Sequence, residues 1–142
     1  FIELAEEINT NMPSHVVSKI AGALNDDHKP IRGSRLLILG VAYKRDVNDV
    51  RESPAITIIE LLQQQGAVVS YHDPYVPFLN SDAGQMSSSE YDKGLLSSAD
   101  CVVIVTDHTC FDWDDILTHA PLIVDTRNVT ASYSGAARVV KI

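Results

Sequence analysis

The stretch Leu36–Gln65, LLILGVAYKRDVNDVRESPAITIIELLQQQ, reads as one strand–loop–helix unit and decides the fold. Leu36, Leu37, Ile38 and Leu39 form an unbroken apolar run ending at Gly40, the pattern of a strand buried on both faces of a parallel sheet. Ser53-Pro54 opens a helix, with serine as N-cap and proline at the first helical position, where a missing N–H costs nothing. Ala55, Ile58, Ile59 and Leu62 recur at i, i+3, i+4 and i+7 and make one apolar stripe for packing on that strand. Gly66 stands where a helix-ending glycine belongs.

Between strand and helix lie the dozen polar-rich residues Val41 to Glu52, with Lys44, Arg45 and Arg51 among them. Strand-to-helix connections usually need about two to six residues, so this loop is long. It leaves the carboxyl end of a parallel strand, where such sheets bind ligands, and it runs into a helix N-terminus that favours anions. Gly40 stands alone, without the second and third glycines of a dinucleotide fingerprint. The loop is therefore expected to hold phosphate with Lys and Arg side chains more than with bare backbone. The plainer alternative is a solvated loop whose charges do nothing.

On the N-terminal side, residues 1–27 read as a long helix. Ile2, Ala5, Ile8 and Met12 make a stripe that Val16, Val17, Ile20, Ala21 and Leu24 continue, and Pro13 is expected to kink or restart it. Such a helix either folds onto the domain or meets a partner helix. Asp26 to Ser34 is a polar linker. On the C-terminal side, Val68–His72, Cys101–Val105 and Leu122–Val124 read as further strands, with Arg138–Lys141 as an edge strand. Glu90–Ser97 and the segment from Asp112 or Asp114 to His119 read as short helices, and Tyr75–Ser89 as irregular. Strands alternating with helices imply an α/β, Rossmann-like doubly wound parallel sheet, preceded by the Pro-kinked helix.

In that architecture the polar strand ends converge on one edge. Tyr43-Lys44, His72-Asp73, Thr106-Asp107-His108 and Asp125-Thr126-Arg127 supply them in turn. Asp73-Pro74 reads as a turn with a capping carboxylate, ahead of any acid–base role. His108 beside Asp107 is half a triad without a nucleophile, Cys110 being a speculative one at best, and no spacing suits zinc.

The chain has 142 residues, 45% of them hydrophobic, enough for one domain with a real core. A net charge of −8 argues against nucleic acid, because there is no basic stripe to displace counterions. A small cationic cluster in an acidic chain points instead to a small anion. No run approaches the roughly 18 apolar residues of a membrane span, no signal peptide is visible, and a cytoplasmic origin is expected. The chain begins at Phe1, as a cut-out piece would. Cys101, opening CVVIV, is expected to be a buried, inert thiol.

GVAYKRDVNDVRESPA, followed by VSYHDPYVP, resembles the C-terminal UDP-binding domain of the UDP-glucose/GDP-mannose dehydrogenase family. The resemblance extends, more weakly, over nearly the whole chain. It implies a part of an NAD-dependent nucleotide-sugar 6-dehydrogenase of polysaccharide biosynthesis, which oxidises a UDP-sugar twice to the uronic acid through a cysteine thiohemiacetal. By the same likeness Tyr43, Lys44 and Arg127 contact the UDP-sugar, and Arg51 reaches toward the pyrophosphate of NAD on another domain. The competing reading of Arg51 is an ion pair with Glu52 or Asp49. Residues 1–27 correspond to the family's helix linking its two nucleotide-binding domains and forming its homodimer interface, and residues 34–142 to the UDP-binding domain. ELAEEINTNMP resembles the stretch just after the catalytic cysteine loop, so NAD fold and catalytic residues are expected before Phe1, and this chain alone is expected to be inactive.

Two positions depart from the common motif: Arg45 stands where many members have Pro, and Asn48 where many have Asp. Arg45 is expected to make the loop more mobile and more basic. With YHDPYVP and VDTRN, the variant looks more like the dehydrogenases of N-acetylated UDP-hexosamines than those of UDP-glucose. Two other classes compete. One is a stand-alone nucleotide- or anion-binding regulatory module. The other is a receiver-like phosphorylation domain, disfavoured because the first strand has no acidic pair at its end.

Overall fold

In the computed structural model the backbone is described for residues 2–82 and 84–142, and the side chains of residues 1–11 and 83 lie outside the description. The stripe residues Ile2, Ala5 and Ile8 fall in that undescribed set. Helix α1 spans Ile2–Asp26 and leads to strand β1, Arg35–Leu39. Helix α2, Pro54–Gln64, and strand β2, Val68–His72, complete the first unit. A hairpin of β3, Phe78–Ser81, and β4, Gly84–Ser87, precedes the short helix α3, Lys93–Ser98. Strand β5, Cys101–Ile104, helix α4, Trp113–His119, strand β6, Leu122–Asp125, a 3₁₀ turn, Val129–Ser132, and strand β7, Arg138–Lys141, follow.

Five strands form one sheet in the order β2-β1-β5-β6-β7, every pair parallel. Leu39 is in register with His72 on one side and Ile104 on the other, and Ile104 with Asp125. The four polar strand ends therefore leave along one rim, as the sequence implies. The chain reverses direction of winding between β1 and β5, the switch point at which open α/β sheets form their ligand crevice.

Alternate residues of β1 enter different cores, because successive side chains of a strand point to opposite faces. Leu36 and Ile38 pack with Val16, Ile20 and Leu24 of α1 and with Ile58, Ile59 and Leu62 of α2. Leu37 and Leu39 pack with Leu96 of α3, with Trp113, Ile116 and Leu117 of α4, and with Phe111. The C-terminal half of α1 thus belongs to the core of this domain, with Ala23 buried and Ala21 only half-buried. Arg138 of β7 fastens the end of α1, donating to the Ala23 carbonyl (2.8 Å) and pairing with Asp27 (3.0 Å).

One expectation is narrowed and another corrected. Of the kink or restart expected at Pro13 there is no restart, because the residue lies inside the continuous helix α1. A single proline withholds one N–H, and the turns on either side carry the helix across it. The segment read as irregular contains the β3–β4 hairpin, whose pairing sets Leu79 against Met86. Leu79 is buried and Met86 half-buried, while Phe78 is exposed, so the strands carry little apolar alternation among their serine, asparagine and glutamine residues.

Candidate functional site

The site begins where β1 ends. Gly40 has φ +79, and a Cβ there would lie 2.3 Å from the Thr106 carbonyl oxygen. Only glycine lets β1 leave the sheet this close to the exit of β5. The next two N–H groups, Val41 and Ala42, donate to Oδ2 of Asp73 (2.8 and 3.2 Å), a carboxylate only 1% exposed. Its Oδ1 accepts from Tyr75 N–H (2.9 Å), so the turn-capping reading of Asp73 describes half of what it does. The Thr106 hydroxyl donates to the Ala42 carbonyl (2.6 Å), and Tyr43 N–H to the Asp49 carbonyl (2.6 Å), closing the loop on itself.

At the switch point the backbone donors that could hold a phosphate are thus already given to Asp73. The accessible space lies beside it, in a cleft of about 800 Å³. Tyr43 and Lys44 line it from the loop, Ser53, Pro54 and Thr57 from the start of α2, and Met12 and Pro13 from α1. Arg127 lines the same cleft from the end of β6. Three of the four site residues expected from the sequence therefore meet in one place.

Each is held differently. Ser53 caps α2, its hydroxyl accepting from Ala55 N–H (3.2 Å), and directs the positive end of the helix dipole at the cleft. Arg127 donates its main-chain N–H to Asp125 (2.9 Å) and its Nε to the Val105 carbonyl (2.8 Å), which lays the guanidinium across the end of β5. Asp125, fully buried, also accepts from the N–H and hydroxyl of Thr130 (2.9 and 2.7 Å), so the base of Arg127 is rigid. Among the described residues neither Lys44 nor Arg127 has a carboxylate partner. Among the described residues Glu52 is the carboxylate in the lining. Tyr43 is 45% exposed and offers a ring face.

The other two cations of the loop are spoken for. Arg51 is not in the lining; its Nε and Nη2 donate to Asp49 (3.1 and 2.9 Å), and these bonds hold the Asp49 carboxyl down at about 2. Arg45 donates to Asp107 (2.5 Å), which raises the guanidinium pKa. This corrects the expectation of a more mobile, more basic loop: Asp107 neutralises Arg45 and ties it to β5.

His108 does not pair with Asp107. It is fully buried between Asp73 (Nε2–Oδ2, 2.9 Å) and the N–H of Asp46, which donates to Nδ1 (2.9 Å). Burial pushes the Cys110 thiol up and the Cys101 thiol to about 12, so neither has the lowered pKa of an activated nucleophile. Among the described residues no cluster of His, Cys, Asp and Glu could hold a metal ion, and no helix is long and apolar enough to cross a membrane.

Met12, Pro13 and Thr57 of the lining, and the His108–Asp73 pair, escaped the sequence reading. The lone glycine after β1 was the available sign that something other than backbone nests must satisfy Val41 and Ala42. What the cleft offers chemically is an anchor: two cations, a helix N-terminus, an aromatic face and an apolar wall from α1. That set suits a phosphate-bearing ligand with a flat base.

Comparison with known proteins agrees. The UDP binding domain of the UDP-glucose/GDP-mannose dehydrogenase family matches residues 37–132. The chain is 35% identical over 137 residues to a UDP-N-acetyl-D-mannosamine dehydrogenase of Methanococcus maripaludis, an alignment covering 91% of this chain and 30% of that protein. A UDP-glucose 6-dehydrogenase of Rickettsia bellii is 33% identical, with 90% of this chain and 31% of the relative covered. A UDP-D-ManNAc dehydrogenase from Pyrococcus horikoshii superposes with a TM-score of 0.82 at 26% identity, over 99% of this chain and 33% of that one. The chain thus spans about a third of the length of these relatives.

Proposed function

This chain belongs to the UDP-glucose/GDP-mannose dehydrogenase family, and we propose that its cleft anchors the uridine diphosphate of a UDP-sugar oxidised by an NAD-dependent 6-dehydrogenase. The observation that carries this reading is the meeting of Lys44 and Arg127, from the tips of two different strands, at the N-terminus of α2. Lys44 acts as a point charge on the diphosphate. Arg127, fixed through Nε, turns its remaining N–H donors to phosphate or ribose. Tyr43 lies against the base.

The residues of this chain do not fit a dinucleotide at the switch point. Gly40 stands alone there, and Asp73 already occupies the Val41 and Ala42 donors. NAD belongs to another part of the enzyme, and Arg51, outside the cleft on an exposed side chain, is placed to exchange Asp49 for its pyrophosphate. This chain supplies binding and orientation, and by itself oxidises nothing. Residues 34–142 are the UDP-binding unit, and α1 extends from it as the linking and homodimerising helix. The free thiols Cys101 and Cys110 support a reducing, cytoplasmic setting. Relatives named as UDP-N-acetyl-D-mannosamine dehydrogenases support an N-acetylated hexosamine on the nucleotide.

Calorimetry tests the reading. UDP is expected to bind at least about tenfold more tightly than ADP or GDP, and Arg127→Ala to remove most of that affinity. UDP held no better than ADP, or indifferent to Arg127→Ala, overturns it.

A further inference from the structure

We propose that His108 is a positioning residue of the nucleotide cleft: a neutral imidazole, protonated on Nε2, that locks the loop carrying Tyr43 and Lys44 to the Asp73 carboxylate. The proposal rests on the reading of the cleft as a UDP site. His108 does not line the cleft and acts only through the loop.

The tautomer follows from which groups can donate. A main-chain N–H is always a donor, so the Asp46 N–H, 2.9 Å from Nδ1, requires a lone pair on that nitrogen. The neutral ring then carries its proton on Nε2, which donates to Asp73 Oδ2 at 2.9 Å, the oxygen that also accepts from Val41 and Ala42. Ring contacts with Tyr75 and Phe111, centroids 4.7 and 5.4 Å away, keep the imidazole in this orientation.

The loop is thereby held at both ends of a short span. Val41 and Ala42 are fixed by Asp73 and Asp46 is fixed by His108, with Tyr43 and Lys44 between them. One hydrogen bond, His108 to Asp73, joins the two brackets. Asp46 needs the help, because its φ of +61 is a conformation that non-glycine residues seldom adopt. Thr109 secures it further, its N–H and hydroxyl donating to the Asp46 carboxylate (2.8 and 2.5 Å). Lys44 is therefore presented to the cleft two residues from Asp46, whose main chain hangs from the buried His108 and Asp73.

Asparagine and glutamine each reproduce one half of the ring. In His108→Asn the side-chain oxygen sits near the place of Nδ1, keeping the acceptor for Asp46 but falling short of Asp73. In His108→Gln the terminal amide reaches the place of Nε2, keeping the donor to Asp73 but giving up Asp46. Each variant opens one of the two links by which His108 bridges Asp46 and Asp73, so titration of the full chain with UDP is expected to show both about tenfold weaker than the parent, the effect of one lost positioning hydrogen bond. Hydrogen exchange at the Asp46 amide should accelerate in His108→Gln only. Long-range ¹H–¹⁵N spectra of the unsubstituted chain, which need neither ligand nor variant, should show Nδ1 bare and Nε2 protonated. A proton on Nδ1 overturns the proposal, even if both variants fail to fold. So does UDP affinity that both variants keep. If the unsubstituted chain does not bind UDP, the reading of the cleft falls, while the spectra and the Asp46 exchange still decide whether His108 holds the loop.

Discussion

At the junction of β1 and β5, the N–H groups of Val41 and Ala42 meet a carboxylate of the protein's own, whereas a few residues along the same loop Lys44 faces an open cleft shared with Arg127. Both places lie on one rim, and both are built to attract an anion. The first is filled by Asp73, whose carboxylate and His108 partner are buried. The second keeps its cations clear of carboxylate partners among the described residues and is walled by α1 and α2. Doubly wound sheets offer a ligand seat at the switch point by construction. Here an internal side chain takes that seat and serves as scaffold, and Lys44 and Arg127 stand at the neighbouring cleft instead. Position on the fold alone does not separate the two crevices; which donors are already satisfied does.

The contrast makes graded predictions. Asp73→Ala should cost the most, about 3–5 kcal/mol in urea denaturation, because it strands buried N–H donors and the His108 partner together. A loss under about 1 kcal/mol would mean that the seat is not closed in the way described. Lys44→Ala should behave oppositely, weakening UDP by about 1.5–3 kcal/mol in calorimetry while leaving the unfolding midpoint nearly unchanged. Unaltered affinity would return Lys44 to the solvated surface. Arg45→Ala, which breaks only the exposed pair with Asp107, should loosen the loop slightly, seen as faster exchange at neighbouring amides with little change in UDP affinity. Arg51→Ala should be the smallest change in this chain, invisible in both melting and UDP binding, since its side chain is 87% exposed and outside the cleft. A marked loss of UDP affinity in that variant would bring Arg51 into the substrate site and erase the distinction between the cations.

Local signals made much of this legible. Leu36–Leu39 and Cys101–Val105 announce central strands because both faces are buried, and Ser53-Pro54 marks a helix start through the chemistry of its orphan N–H groups. That Lys44 and Arg127 share a rim could be read from the common edge of strand ends in a parallel sheet, whereas their selection as nucleotide contacts came from the family resemblance. The unread parts depend on partners far away in sequence. Asp107 cancels Arg45 from 62 residues off, and Asp73 meets His108 across 35. Nothing near Met12 or Pro13 suggests a cleft wall, since their place is set by how α1 lies across α2. The β3–β4 hairpin stayed hidden because a ribbon with one fully buried side chain, Leu79, has almost no periodicity to read.

Helix α1 has a double engagement: Val16, Ile20 and Leu24 are sunk in the core, while Met12 and Pro13, one turn earlier, border the ligand space. A body that bears on this helix and tilts it must alter the grip on the nucleotide. Thermodynamic reciprocity then obliges the nucleotide to alter the hold of that body by the same factor. The helix is thus a lever whose fulcrum is the sheet, carrying load in either direction.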